Sequence, residues 1–586
     1  MASIGDGSFS GGFLPTVRLD QETGASHFTS EDGLQVSVWG KMLTLPSNTK
    51  DGAPALAERV ASLFRKKGWE GLGVLDGSYT CLIRTQEASY LVRDHHGTGP
   101  QVYYTHATFA SSLMSLVEQP GFTAKPDFSA LSDFLTRGYI PVPRSAFQTV
   151  EKLGAGHVLC VKDGQQYVHL LPKPIVSYEG MSEEDMLDAY GRLHRESILR
   201  RLDGHNHVGI LLSGGYDSGS NLAALRAVYN GDIHSFSIGF KGDTWSELPL
   251  AKILSETYGT VHHTYEIDGH EVEALPDIIR QLGDPFVEGG LMVNYAVMKL
   301  AAEHPQDVLL GGDGNDQLFG TTGREIALSL LIKRCGLRPA LKLTNRLLAG
   351  SLFDRNGYPY KVKFHTDKIL HVLEGDSFGF PPERLTELVH NPTWVKGWSN
   401  NRQDTSSFEA AFLQHARMAD SDKTINQVIL FKASKLADYF GHNLAFPYMD
   451  LDMQALIDAM PVSLRWKGEG LLAMARGRNV SKYALKRVYK PLLPEAITNR
   501  KKQGGFAPMP LFFADPSFRQ TVRSTILDSK VCGDFLNRAA VERFLNRYDR
   551  EAAIHQGWFW YRQNRAIQLF NLYTLALWWR QYVERG

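Results

Sequence analysis

The chain has 586 residues, 43% hydrophobic and 22% charged, an ordinary globular composition too long for a single core, so two domains are expected. Lys+Arg and Asp+Glu each number 63, and this balance leaves no global field to draw nucleic acid or an anionic membrane, so neither is expected as a partner. Cys81, Cys160, Cys335 and Cys532 are scattered without Cys-x-x-Cys pairing, which suggests neither a zinc site nor a disulfide framework and fits a reducing, cytoplasmic setting.

The chain opens MASIGDGSFSGG, with no basic stretch ahead of an apolar core, so it does not read as a signal peptide. From residue 34 to 171 the pattern is one of short alternating segments. Residues 34–38, 79–84, 90–92, 102–105 and 108–111 read as strands, and 55–66 and 128–136 as helices. Tyr79, Cys81 and Ile83 fall on one face and Thr80, Leu82 and Arg84 on the other, as in half-buried antiparallel strands. His95 and His96 read as turn residues without chemistry. A polar, proline-bearing link at 172–182 marks a boundary, giving domains 1–175 and 183–586.

The second domain begins with a charged amphipathic helix at 183–201. Residues 208–212 (VGILL) then form a short apolar run, the pattern of a strand buried on both faces. Ser213-Gly214-Gly215-Tyr216-Asp217-Ser218 breaks it, and an apolar helical pattern follows from Leu222. Further strands are expected at 235–240 and 307–311. Strands alternating with helices imply a doubly wound parallel sheet, with ligands at the carboxyl ends of its strands. The glycine loop reads either as a plain turn or as a phosphate cradle at a helix start. Asp217 favours the second: a carboxylate beside phosphate needs a magnesium ion between them. The Lys-Ser/Thr ending of a Walker loop is lacking. Residues 331–422 mix basic helical pieces with Gly/Pro/Asn-rich ones and are expected to cap the site. From 423 onward the spacing is helical, with Phe559, Trp560, Phe570, Trp578 and Trp579 expected in the core. Residues 572–579 are too few to span a membrane.

Several stretches resemble the asparagine synthetase-like amide ligases. In the second domain they are SGGYDS (213–218), SFSIGF (235–240), LGDPF (282–286), GGDGNDQLFG (311–320), FPYMD (446–450), SKYALKR (481–487) and NRKKQGGF (499–506). In the first they are LDGSY (75–79), VRDHHGTGPQVYY (92–104), FASS (109–112) and LGAGH (153–157). The resemblance implies an N-terminal nucleophile-type α/β/β/α sandwich followed by an ATP-pyrophosphatase domain with a helical C-terminal part. Two departures stand out. Glutamine-hydrolysing members carry cysteine after the initiator methionine, whereas this chain has Ala2, and the family's asparagine-glycine-glutamate segment is missing. Gly441-His442-Asn443 stands where asparagine synthetases place glutamate and arginine, which weakens aspartate as substrate.

The resemblance also implies a mechanism. A carboxylate attacks the α-phosphorus of ATP, and an amine then displaces AMP from the acyl-adenylate. Ser213, Gly214, Gly215 and Ser218 would hold pyrophosphate, with Asp217 and Asp316 binding Mg2+. Leu212, Ile238, Gly311 and Gly312 match positions lining the adenosine. Lys482 and Lys502 are candidates for phosphate contact, and Lys502 also for the oxyanion of amine attack, unless it belongs to a solvated basic patch. Asp313 either takes the amine proton or only orders its loop. Three functions compete. The first is a cyclase joining amine and carboxylate of one substrate, as in lasso-peptide cyclases or β-lactam synthetases. The length of 331–422 favours a peptide, hence a precursor-peptide core as substrate and a protease as partner. The second is a ligase using ammonia or a small free amine, and the third a nucleotide-binding pseudoenzyme.

Overall fold

The strands of the first half form two antiparallel sheets that face each other across an apolar core. The computed structural model describes residues 9–12, 21–22, 25–43, 56–174, 177–178, 180–242, 246–350, 353–371, 379–397, 407–499, 507–552 and 558–584. The six-stranded sheet runs in the order Gln165–Leu170, His157–Lys162, Ala88–Arg93, Gly77–Arg84, Gln35–Met42, Ala25–Thr29. The five-stranded sheet joins Gln21–Glu22, Phe9–Gly12, Thr108–Ala110, Tyr103–Tyr104 and Glu151–Lys152. Trp39, Leu82, Leu91, Tyr104, Phe109 and Leu159 form the core between the sheets. The helix Leu56–Lys67 covers the outer face of the larger sheet through Ala57, Val60 and Ala61, which pack with Tyr79, Cys81 and Ile83. The expectation of a half-buried strand at 79–84 is therefore corrected. Every residue from Tyr79 to Arg84 is buried, because a helix layer lies on one side and the second sheet on the other. The result is the expected α/β/β/α sandwich.

The second half is built on a parallel sheet in the order Val261–Ile267, Ile233–Phe240, Val208–Leu211, Val308–Leu310, Leu444–Ala445. Val208 sits opposite Ile233 on one side and Val308 on the other, so the glycine-loop strand is central and fully covered, as its apolar run requires. The two outer strands lie beyond the sequence expectation. Val261–Ile267 is mostly polar and exposed, and Leu444–Ala445 is two residues long. Helices flank the sheet, which makes the fold class the expected α/β one with a helical C-terminal part. Phe559–Tyr582 buries Phe570, Trp578 and Trp579, while Phe559 and Trp560 are only half-buried. No described helix is long and apolar enough to cross a membrane.

The two halves share buried polar contacts. Asp284 of LGDPF pairs with Lys152 at 2.7 Å and accepts the Ala146 N–H at 2.9 Å. Arg201, at the end of the helix Glu183–Leu202, reaches Asp76 of LDGSY at 3.4 Å and Asp450 of FPYMD at 3.0 Å. Asp450 is wholly buried and also pairs with Arg200 at 2.5 Å. Burial alone would raise its carboxyl, but the two guanidiniums hold it below the ordinary carboxylate range. Removing the carboxylate strands a buried cation, so Asp450→Ala should destabilise the chain by about 3–5 kcal/mol. The midpoint of urea unfolding measures this, and a shift equivalent to under ~1 kcal/mol would mean that Arg201 finds water instead.

Residues 331–422 contain the helices Arg338–Leu347, Tyr358–Leu370 and Pro382–Leu388. Arg338–Leu347 packs on Tyr358–Leu370, which also meets the helix Gly323–Arg334 and, through Tyr360 and Phe364, the rings of Tyr561 and Trp558. Asp354 pairs with Arg565 at 2.7 Å, and Pro382–Leu388 lies against Phe128–Arg137.

Candidate nucleotide and acyl-transfer site

Two loops at the carboxyl ends of adjacent strands make the site. The first follows Val208–Leu211. Its Gly214 has φ +73°, and a Cβ there would lie 2.8 Å from the Glu247 carbonyl oxygen and 2.9 Å from the Ala251 nitrogen, so only glycine lets the turn close. Ser218 Oγ accepts the Ser213 N–H at 3.2 Å, and Ser213 Oγ accepts the Gly215 N–H at 3.3 Å. The helix that follows is Tyr216–Val228. It starts earlier than the apolar pattern from Leu222 indicates, which puts Asp217 and Ser218 in its first turn. Amide groups there face the loop and favour negative charge.

The second loop follows Val308–Leu310. Gly311 N–H donates to the Ala445 carbonyl at 2.8 Å, and Asn221 Nδ2 donates to the Gly311 carbonyl at 3.0 Å. A Cβ on Gly312 would lie 3.7 Å from Ser218 Cα, so the loops abut. Asn315 Nδ2 donates to Asp217 Oδ1 at 2.6 Å, Tyr190 O–H donates to Asn315 Oδ1 at 3.2 Å, and Tyr448 O–H donates to the Asp217 carbonyl at 2.8 Å. Leu212 is buried, and half-buried Ile238 sits on the neighbouring strand Ile233–Phe240.

Lys482 joins the loops although it is far away in sequence. It has φ +52°, an uncommon conformation for lysine, and leads the helix Tyr483–Tyr489. Its buried ammonium hydrogen-bonds Asp217 Oδ2 and lies 2.6 Å from Asp316 Oδ1. Burial would lower its pKa, but the Asp217 and Asp316 carboxylates outweigh burial and hold it above the ordinary lysine value. The structure thus brings together Ser213, Gly214, Gly215, Asp217, Ser218, Gly311, Gly312, Asp316 and Lys482. Lys502, with most of NRKKQGGF, lies outside the described residues, as does Ala2.

Asp313 is half-buried by area yet lies deep in the protein, and that depth raises its carboxyl above the ordinary range. Lys432 draws it back, while the Glu288, Asp217 and Asp316 carboxylates push it further up. Lys432, from the helix Leu430–Phe440, is buried and ion-paired with Glu288, whose Oε2 also accepts the Gly290 N–H at 2.8 Å. A Cβ on Gly290 would lie 2.6 Å from Lys432 Nζ. The sequence reading missed this pair, along with Asn315 and Tyr448. No local pattern joins Glu288 to Lys432, whereas Tyr448 falls inside FPYMD. At the departure 441–443, His442 Nε2 lies 2.8 Å from the Met298 carbonyl, and Asn443 Nδ2 donates to the Asp307 carbonyl at 2.8 Å. Both side chains bond to backbone there.

Among the described residues no group of three or more His, Cys, Asp or Glu side chains gathers as a metal cage. Asp217 and Asp316, facing each other across one ammonium, are a donor set that suits Mg2+ when phosphate oxygens complete it.

Residues 190–580 match the asparagine synthase family, and residues 53–170 match the glutamine amidotransferase domain. A candidate glutamine-hydrolysing asparagine synthetase of Mycobacterium tuberculosis is 25% identical over 526 residues, covering 85% of this chain and 75% of its own. The glutamine-hydrolysing asparagine synthetase 1 of Bacillus subtilis is 24% identical over 497 residues, covering 81% and 74%. Among solved structures, the B. subtilis glutamine phosphoribosylpyrophosphate amidotransferase matches at 13% identity and a TM-score of 0.16, covering 51% of this chain and 59% of that one. That overlap is too slight to carry an argument. With the family match spanning more than half its length, the chain belongs to the asparagine synthase family of ATP-dependent carbon–nitrogen ligases.

Proposed function

We propose that the chain adenylates a substrate carboxylate, releases pyrophosphate, and couples the acyl group to an amine not drawn from glutamine, closing a macrolactam in a peptide as lasso-peptide cyclases do. The observation that carries the ligase reading is the Asp217–Lys482–Asp316 cluster at the mouth of a glycine loop. Asp217 and Asp316 would hold Mg2+, which neutralises the polyphosphate when bound. The loop amides and Lys482 bind the pyrophosphate end, and Leu212, Ile238, Gly311 and Gly312 line the adenosine. The substrate oxygen bonds to the α-phosphorus as the bond to pyrophosphate breaks. The amine then bonds to the acyl carbon, AMP leaves, and the amine proton passes to Asp313. Lys502 is assigned to the oxyanion of that step. The division at 1–175 and 183–586 separates the sandwich from this machinery.

Two features favour a peptide. Leu337, Leu343, Leu347 and Tyr358 are all more than half exposed on one stretch of the chain, apolar surface of the kind that receives an extended ligand. Aspartate loses support because Gly441-His442-Asn443 stands where asparagine synthetases place glutamate and arginine. The test incubates the purified chain with ATP, Mg2+ and precursor peptides. AMP, pyrophosphate and a peptide lighter by one water are expected, and ADP with phosphate would sink the ligase reading. Transfer of free ammonia without cyclisation would favour the intermolecular ligase.

Ala2 cannot act as a nucleophile, so glutamine should not serve as nitrogen donor. Glutamate release from glutamine should stay at the rate of a protein-free control. A rate above that, removed by a glutamine-directed alkylator, would overturn this part of the reading.

A further inference from the structure

The helix Glu183–Leu202 carries His194, a wholly buried imidazole that the proposed chemistry leaves unused. Both of its nitrogens are bonded. Nδ1 lies 2.6 Å from the Tyr489 hydroxyl, and Nε2 lies 2.7 Å from Asn221 Oδ1. Asn221, also wholly buried, stands on the helix Tyr216–Val228, and its Nδ2 donates to the Gly311 carbonyl at 3.0 Å. Tyr489 ends the helix that Lys482 leads.

These contacts admit one arrangement of protons. A carbonyl oxygen only accepts, so Asn221 must turn its amide nitrogen to Gly311, which leaves its own oxygen for His194. That oxygen also only accepts, so His194 Nε2 carries a proton and donates it. Burial lowers the imidazole to a pKa of about 4, against the Asn221 bond that raises it. The ring is therefore neutral at neutral pH, Nδ1 keeps its lone pair, and the Tyr489 hydroxyl donates to it.

The imidazole is held on its face as well. It stacks on Tyr448 with ring centroids 4.6 Å apart, and Tyr448 is the residue whose hydroxyl meets the Asp217 carbonyl. A ring fixed at both nitrogens and on one face cannot turn, and its Nε2–H fixes the Asn221 amide in turn. That amide is a strut. It runs from the helix that follows the glycine loop to the backbone at the start of the second loop, and His194 sets its direction.

We propose that His194, as its Nε2–H tautomer, is a positioning residue for nucleotide binding: through Asn221 it holds the second loop at Gly311 against the glycine loop, at the spacing ATP requires. The proposal rests on the assignment of the two loops to ATP.

Glutamine and asparagine divide the two nitrogens between them. The amide of His194→Gln reaches the place of Nε2 and can donate to Asn221. That of His194→Asn reaches only the place of Nδ1 and can accept from Tyr489. Each variant gives up the stacked ring and one buried hydrogen bond, so their urea unfolding midpoints should fall together. Calorimetric titration of the full chain with a nonhydrolysable ATP analogue and Mg2+ should separate them. His194→Asn should bind roughly tenfold more weakly than wild type, the worth of one buried hydrogen bond, and His194→Gln within about threefold of it. Affinities that fall equally in the two variants, or in neither, overturn the proposal, since a residue that only fills the core would not distinguish its nitrogens. The wild-type chain gives an independent readout. Nitrogen–proton correlation NMR with labelled histidine, the His194 signals being assigned by their loss in His194→Gln, should show a protonated Nε2 and a bare Nδ1 at neutral pH. The opposite tautomer, or an imidazolium, overturns the proposal as well. Failure of the wild-type chain to bind the analogue would remove the nucleotide site itself, and the proposal with it.

Discussion

Asp217→Ala should abolish pyrophosphate–ATP exchange, lowering it by roughly 10³-fold or more, the scale for losing a group that faces developing phosphate charge. The carboxylate has three connections in the structure. It holds the Lys482 ammonium, it accepts the Asn315 amide at 2.6 Å, and it lies in the first turn of the helix whose amides face the loop. Alanine removes the first two and leaves Lys482 to Asp316. The backbone should survive, because Tyr448 bonds the Asp217 carbonyl and not its side chain. Asp217→Asn separates charge from shape: its amide oxygen can still accept from Asn315, but it offers Lys482 no negative charge. Both variants should therefore lose exchange, Asp217→Asn with the smaller loss of stability because it keeps the Asn315 contact. Exchange within tenfold of wild type in Asp217→Asn would show that the carboxylate's charge is not what the phosphates require, and the metal assignment to Asp217 would fall with it.

Lys482→Ala probes the same cluster from the other side. It strands two carboxylates that the ammonium now separates, and like charges at that spacing repel. The expected loss of exchange is smaller than for Asp217→Ala if Mg2+ can take over the position, so raising its concentration should restore part of the activity. No such restoration is expected for Asp217→Ala.

What the sequence revealed and what it hid follow from the range of the interactions. The glycine loop was readable because its signal is local: a branched apolar run, then glycines in a turn that tolerates no Cβ at Gly214. The burial of its strand on both faces was readable for the same reason, whereas its central place in the sheet came from the structure. The edge strands were not. Val261–Ile267 begins Val-His-His-Thr and exposes much of its length, so it lacks the apolar pattern that marks a strand, and its partner Ile233–Phe240 supplies the order. The strand Leu444–Ala445 is too short to show any period. Lys482 was readable only through the family motif SKYALKR, because nothing in its neighbourhood announces two carboxylates from distant segments. The Glu288–Lys432 pair had no signal at all: it joins a loop to a helix 144 residues away. The reading of 79–84 as half-buried failed for a related reason. Alternation tells which residues share a face, but what covers that face is decided by another sheet and another helix.

Asp313→Ala should separate the two chemical steps. Asp313 is in the second loop, with the Lys432–Glu288 pair acting on its carboxyl, while the phosphate contacts belong to Asp217, Asp316 and Lys482. If its carboxylate takes the proton of the attacking amine, the variant should still activate its substrate, and exchange of pyrophosphate into ATP should persist with substrate present. Amide formation should fall by roughly 10²–10⁴-fold, the usual contribution of a positioned base. The pH profile gives a second readout. Burial raises the Asp313 carboxyl above the ordinary carboxylate range, and the base is active only when ionised. The rate of amide formation should therefore climb with pH on a limb displaced upward from that range, and the limb should vanish in Asp313→Asn. Lys432→Met should displace the limb further upward, because the ammonium that draws the Asp313 carboxyl down is lost while the Glu288 carboxylate remains. Glu288→Gln should move it the other way, since a carboxylate that raises Asp313 is removed. Opposite movements in these two variants would identify Asp313 as the titrating group. Equal loss of exchange and amide formation in Asp313→Ala would instead make it a residue that only orders the loop, and the base would then have to come from elsewhere in the site.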